Sequence, residues 1–196
     1  MGVQNHRLVL LRHGQTDWSR TDRHTGRTEQ ELTATGREQA RSAGAVLAAL
    51  ALDQPVVLSS PRRRARDTAA LAGLHVDDVE PLLAEWDYGD YEGLTTAQIR
   101  RSVPDWLVWT HGCPGGEGVT QISHRADEVV ARVLGRLESA DVVLVGHGHF
   151  SRAVIARWLQ LPLAEGARFG MAAASVAVCG FEHDARALLA LGLSGR

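Results

Sequence analysis

The sequence predicts an α/β fold: a three-layer sandwich with a mostly parallel central sheet, helices on both faces and an antiparallel edge strand. Short runs rich in Val and Leu recur at residues 8–11, 55–58 and 142–145. Unbroken apolar runs of about four to eight residues, bounded by turn residues, mark strands buried on both faces. Segments with helical periodicity alternate with these runs, the order that builds a parallel sheet covered on both sides. No repeat, low-complexity tract or linker divides the 196 residues, so one domain over 1–196 is expected.

The first strand is read at 7–12, followed by a polar, turn-rich stretch. Thr33 or Thr35 caps a helix running to about Leu50, whose apolar face is Ala40, Ala43, Leu47 and Leu50. A second strand at 55–59 precedes a helix at 62–72, just after Pro61. A short third strand is expected at 79–83. Residues 84–118 carry Trp86, Trp106, Trp109 and both tyrosines, with several Gly and Pro. Such a stretch is either a binding lid or a partly helical connection packed by its own aromatics. An amphipathic helix over 120–138 presents Ala126, Val129, Val130, Val133, Leu134 and Leu137 at helical spacing. A strand at 141–146, a helix at 150–160 and strands at 175–181 and 186–191 complete the pattern. Glu182-His183-Asp184 reads as the hairpin turn between the last two.

Composition narrows the function. A net charge of -2 argues against nucleic acid or an anionic membrane as the main partner. All 21 basic residues are arginine, so Schiff-base chemistry, a P-loop lysine and a Ser-Lys dyad are excluded. Cys113 and Cys179 lie far apart and form neither a disulfide framework nor a metal spacing. No run approaches the roughly 20 apolar residues of a membrane span, and the N-terminus has too few for a signal peptide. The Met1-Gly2 start has His6 where myristoylation wants Ser or Thr. A cytoplasmic protein is expected.

The three strands end in Arg12-His13-Gly14, in Ser59-Ser60-Pro61 followed by Arg62, Arg63 and Arg64, and in Gly146-His147-Gly148-His149. Ligands of open α/β sheets sit beyond the carboxyl ends of the strands. Two histidines and at least two arginines are therefore expected in one cleft, which suits a multiply anionic ligand, phosphate first. An Arg-His-Gly tripeptide alone arises by chance in about one such chain in ten; its strand-end placement beside His147 and an arginine cluster is what carries weight. Neutral imidazole attacks phosphorus, and arginine binds two phosphate oxygens with a fork that never deprotonates. His13, kept neutral by flanking guanidinium charge, is the expected nucleophile, and His147 the cationic donor opposite. Gly14 is expected to let backbone approach the ligand. An acid for the leaving oxygen is sought among Glu85, Asp87, Asp90 and Glu92; a carboxyl against an aromatic wall, as Glu85 beside Trp86 would be, suits that task. A metal shared by His147 and His149 is the competing reading, disfavoured by the repelling arginines and the absence of a ligand motif.

These segments resemble the histidine phosphatase superfamily over nearly the whole chain. LRHGQTDWS and HTGRTEQELTATGREQA are similar to its nucleophile motif, substrate loop and first helix; SSPRRRARDTA, EWDYGDYEG and VGHGHFSR are similar to its second, third and fourth motifs. The resemblance implies a phosphohistidine on His13, a phosphate pocket of Arg12, Arg64 and His147, and Glu85 as proton donor. It chooses Arg64 because that arginine directly precedes Ala65. It places Gly14, Ser19, Thr25 and Gly26 in the substrate loop region, and Tyr88, Gly148 and His149 at the pocket edge. Ser19 stands where the family's mutases usually carry asparagine. The short, rather acidic stretch between Glu85 and His147 lacks the basic insertion of those mutases. Hydrolysis of a small sugar phosphate or glycolytic acid, with no cofactor and no metal, is thus implied; phosphoglycerate mutation and non-catalytic phosphate binding are the alternatives. Arg23, Arg27, Arg100, Arg101 and Arg152 are candidates for a second phosphate. The expected partner is a small phosphorylated metabolite, with no nucleic acid and no membrane, and a homodimer is left open.

Overall fold

The computed structural model describes residues 6–195; the Met1-Gly2 start lies outside them. Six strands form one sheet: β1 (Leu8–Arg12), β2 (Val56–Ser59), β3 (Asp78–Val79), β4 (Val142–Gly146), β5 (Val176–Glu182) and β6 (Ala185–Leu193). Their order is β3-β2-β4-β1-β5-β6. The first four strands run parallel, β5 is antiparallel to β1, and β6 is antiparallel to β5. The mostly parallel sheet with an antiparallel edge is as expected.

The helices are α1 (Asp17–Arg20), α2 (Ala34–Ala49), α3 (Arg63–Leu71), α4 (Thr96–Ile99), α5 (Val108–His111), α6 (Val119–Arg136) and α7 (Gly148–Trp158). Side chains alternate across the strands and so divide the core in two. Val9, Leu11, Val143 and Val145 meet α2 and α3 through Ala43, Leu47, Ala65 and Ala69. Leu8, Leu10, Val142 and Leu144 face the other way and meet α6 and α7 through Ile122, Val130, Phe150 and Ile155. Thr33 is the cap of α2, its side chain accepting the Gly36 amide at 3.0 Å, which decides between the two threonines considered.

The third strand is shorter than expected. Glu80 N–H still donates to Ser59 O, but Pro81 has no N–H to continue the ladder and instead starts a 3₁₀ turn, Pro81–Leu83. Residues 84–118 are packed rather than open. Trp86, Tyr88, Trp106 and Trp109 are buried, and the indole N–H groups of Trp86 and Trp106 donate to Glu117 O and Gly112 O, each at 2.9 Å. Burying an indole together with a satisfied N–H anchors a connection, as the second reading expects, while the same stretch also lends Glu85, Tyr88 and Thr96 to a cavity. Among the described residues no helix is long and apolar enough to cross a membrane.

Candidate active site

Strand register brings the two motif histidines together. Arg12 pairs with Gly146 across β1 and β4, so His13 and His147 leave the sheet side by side, with ring centroids 5.3 Å apart. The His13 amide donates to Gly146 O at 2.9 Å. The first turn of α3 adds Arg64 from the β2 end.

His13 is buried, and its Nδ1 lies 2.7 Å from Gly14 O. A carbonyl only accepts, so Nδ1 carries the proton and Nε2 is left with a lone pair. Burial first, then Arg64 and Arg12, hold the His13 pKa well below its ordinary value. The neutral imidazole expected at His13 thus has two causes, with burial adding to the guanidinium effect.

Arg64 is fully buried. Its Nε donates to His147 Nδ1 at 3.2 Å, Nη1 to Thr28 O at 3.0 Å, and Nη2 to Thr25 O at 2.9 Å and Gly26 O at 3.2 Å. Accepting at Nδ1 places the His147 proton on Nε2, 2.7 Å from Ser60 Oγ. Burial, then Arg64 and His13, keep the His147 pKa well below its ordinary value. Burial and three arginines thus favour the neutral His147 ring, in contrast to the cationic donor expected from the sequence.

Glu85 is also differently set. Its Oε1 accepts the amides of Trp86 at 2.9 Å and Phe150 at 2.8 Å, and Oε2 that of His149 at 3.0 Å. An amide cradle at the start of α7, rather than the expected aromatic wall, receives this carboxyl. Of the four carboxyls considered, only Glu85 lines the cavity. Asp87 pairs with Arg27, Asp90 is exposed, and Glu92 accepts the amides of Gly26 and Thr28 at 3.0 Å.

The cavity measures about 630 Å³. Arg12, His13 and Glu85 line it, with Tyr88, Gly148 and His149 along one side and Ser19 and Thr25 along another. Arg12 donates to Met171 O at 2.5 Å through Nη1, while its buried Nε has no partner. Gly148 makes room for that guanidinium, since a Cβ there would fall 3.2 Å from Arg12 Cζ. Tyr88 Oη lies 2.6 Å from His149 Nδ1. Burial first, then Arg152, lowers the His149 pKa well below its ordinary value, and burial, followed by Glu85, raises that of Tyr88 well above.

Gly14, Gly26, Arg64 and His147 sit behind this wall rather than in it. Gly14 packs closely on α2: a Cβ there would lie 2.3 Å from Gly36 O. A Cβ on Gly26 would lie 2.5 Å from Trp86 O. The Ser19 hydroxyl closes a capping box with Thr16, accepting the Thr16 amide at 2.8 Å and donating to Thr16 O. Of the second-phosphate candidates, Arg23 and Arg152 reach the cavity; Arg27, Arg100 and Arg101 do not. The reading of the sequence missed His24 as a lining residue. It is buried, stacks on Tyr88 with centroids 4.7 Å apart, and meets Thr96 Oγ1 through Nε2 at 3.2 Å. Its position directly before Thr25-Gly26 was the available signal.

Among the described residues no three His, Cys, Asp or Glu side chains gather as a metal cluster. A neutral imidazole with a free lone pair, walled by guanidinium groups at the carboxyl ends of parallel strands, defines an enzyme of phosphate esters.

Comparison with known proteins gives the particular family. The profile described as "Histidine phosphatase superfamily (branch 1)" matches residues 8–194. An acid phosphatase of Mycobacterium tuberculosis is 66% identical over 195 residues, covering 100% of this chain and 96% of its own. The sedoheptulose 1,7-bisphosphatase of Saccharomyces cerevisiae is 33% identical, covering 79% of this chain and 68% of its own. A solved structure of a Mycobacterium tuberculosis open reading frame superposes with a TM-score of 0.97 at 65% identity, over 98% of this chain and 100% of that one. The mycobacterial glucosyl-3-phosphoglycerate phosphatase, solved with VO3, gives 0.82 at 36% identity, over 96% and 100%. The chain belongs to the histidine phosphatase superfamily, and it is a phosphoric monoester hydrolase.

Proposed function

We propose that this chain hydrolyses small phosphomonoesters, sugar phosphates or glycolytic acids, through a phosphohistidine on His13 and without a metal ion. The observation that carries the reading is the 2.7 Å contact between His13 Nδ1 and Gly14 O, which leaves Nε2 free beside Arg12 in the cavity. His13 Nε2 attacks phosphorus, the N–P bond forms and the bond to the ester oxygen breaks. Glu85 gives its proton to that oxygen and the alcohol leaves. Glu85 then takes a proton from water, whose oxygen attacks the phosphohistidine; phosphate departs and free His13 returns. The charge on the equatorial oxygens is met directly by Arg12, which lines the cavity, and from behind the wall by the charge of Arg64. His147 stands beside the transferring group, and the incoming dianion raises its pKa towards the cationic form.

The reading is tested by quenching turnover of a ³²P-labelled ester in excess EDTA. An acid-labile adduct on His13, absent from His13→Ala, is expected. Full activity without such an adduct overturns the covalent step, and loss of activity in EDTA restores the metal alternative.

The cytoplasm is the proposed compartment. Cys113 and Cys179 are both free and buried, as suits a reducing environment, and burial pushes each thiol up to about 12. Cell fractionation tests this.

A further inference from the structure

We propose that Arg125 is a positioning residue for the reaction: through its ion pair with Glu117 it holds the Glu85 carboxyl at the leaving-group oxygen. The inference rests on the phosphatase reading and adds to it a pair of residues outside the cavity.

Glu117 stands just before the Gly118 cap of α6, and Arg125 lies further along that helix. Neither lines the cavity. Arg125 Nε donates to Glu117 Oε1 at 2.9 Å and Nη2 to Oε2 at 2.8 Å, a bidentate pair whose side chains are only 13% and 22% exposed. Pairs of this geometry, largely out of water, are stronger and more directional than exposed ones.

The pair grips the chain on both sides of Glu85. On the N-terminal side, Arg125 Nη1 donates to Leu82 O and to Ala84 O, each at 2.7 Å. On the C-terminal side, Glu117 Oε2 accepts the Asp87 amide at 2.9 Å, and the Glu117 amide donates to Asp87 O at 2.9 Å. The remaining Nη2 proton points to Glu85 O at 3.5 Å. All five guanidinium protons thus face a carbonyl or a carboxylate, and none is spare for a ligand. The Arg125 guanidinium carbon also stands 3.9 Å from the centre of the Phe150 ring, and the Phe150 amide donates to Glu85 Oε1. One ion pair therefore fixes both the backbone that carries the acid and a residue that cradles it.

Residues 85–88 belong to no helix or strand, so no backbone ladder sets their place and side chains must. A general acid works only within hydrogen-bond reach of the oxygen it protonates. A misplacement of about 1 Å costs up to about a hundredfold in rate. Lysine at position 125 keeps the charge but has three donors and no fork. Glutamine at position 117 keeps the shape and loses the charge.

The test compares kcat/KM, which reports the step that breaks the ester bond, on glycerol 3-phosphate and p-nitrophenyl phosphate. Arg125→Lys and Glu117→Gln are each expected to lose about tenfold on glycerol 3-phosphate and less than about threefold on the nitrophenyl ester, which needs no proton. Added to Glu85→Gln, either substitution is expected to cost less than about twofold more on glycerol 3-phosphate, since the acid it positions is already gone.

Equal losses on the two esters overturn the proposal, as do losses that multiply with that of Glu85→Gln. So does loss of the folded state in both single variants, read by thermal melting, which would make the pair an element of stability alone. Failure of the phosphatase reading looks different: the native protein turns over neither ester and no labelled adduct forms.

Discussion

Arg64 Nε donates to His147 Nδ1 at 3.2 Å, so one arginine sets the tautomer of the second motif histidine. The same guanidinium gathers the carbonyls of Thr25, Gly26 and Thr28. Glu92 holds the other side of that loop through the Gly26 and Thr28 amides. Arg64 thus joins the end of β4, α3 and the Thr25–Thr28 loop in one network.

Lysine in its place keeps the charge but loses the planar fork. Arg64→Lys is expected to lower kcat by about 10²–10³, the usual cost of one preorganised donor at a developing oxyanion. Turnover of p-nitrophenyl phosphate measures it. A drop of less than threefold would reduce Arg64 to a source of charge.

The proton-donor role proposed for Glu85 predicts a dependence on the leaving group. Glu85→Gln is expected to slow esters of alkyl alcohols by about 10²–10⁴ and p-nitrophenyl phosphate far less, because nitrophenolate leaves without a proton. Equal losses on both would show that the carboxyl serves binding or folding instead.

His24 predicts a pH effect on stability. Burial, its first cause, lowers the His24 pKa to about 4, with Glu92 opposing. The unfolded chain takes up this proton near pH 6.5 and the folded chain does not. Stability is therefore full above about 6.5 and falls as the pH drops below it, by about 1.4 kcal/mol per pH unit down to about 4. Urea unfolding at pH 7 and pH 5 should show a smaller acid loss for His24→Gln than for the native protein. Equal acid losses would place the charged form of His24 inside the fold.

Packing at the nucleophile loop gives a stability prediction. A Cβ on Gly36 would fall 2.1 Å from Gln15 O. Because backbone cannot swing aside like a long side chain, Gly36→Ala is expected to cost roughly 3 kcal/mol, at the upper end of overpacking effects. It should also displace Gly14 and lower kcat. Thermal melting and kinetics of the same preparation check both.

Much of the fold was legible because strands buried on both faces are written as unbroken apolar runs, and α6 as a regular helical stripe. His13, His147 and the arginines were legible from their places at or just after strand ends, whereas Glu85 was separated from Asp87, Asp90 and Glu92 only by the family resemblance. What escaped depended on non-local contacts. The end of β3 turned on the missing N–H of Pro81. The burial of Trp86 and Trp106 turned on carbonyls at Glu117 and Gly112. His24 carried no signal beyond its place before Thr25-Gly26, because Tyr88 and Thr96, which hold it, are far away in the chain.

Local sequence alone determined which residue types stand at each strand end, and hence that phosphate is the first candidate ligand. Periodicity and turn chemistry act over a few neighbours, and that range suffices for such an assignment. Only the tertiary structure decided the tautomer of His147 and the cradle around Glu85. Each depends on burial and on partners brought from distant strands and helices, and neither is encoded in any short stretch of chain.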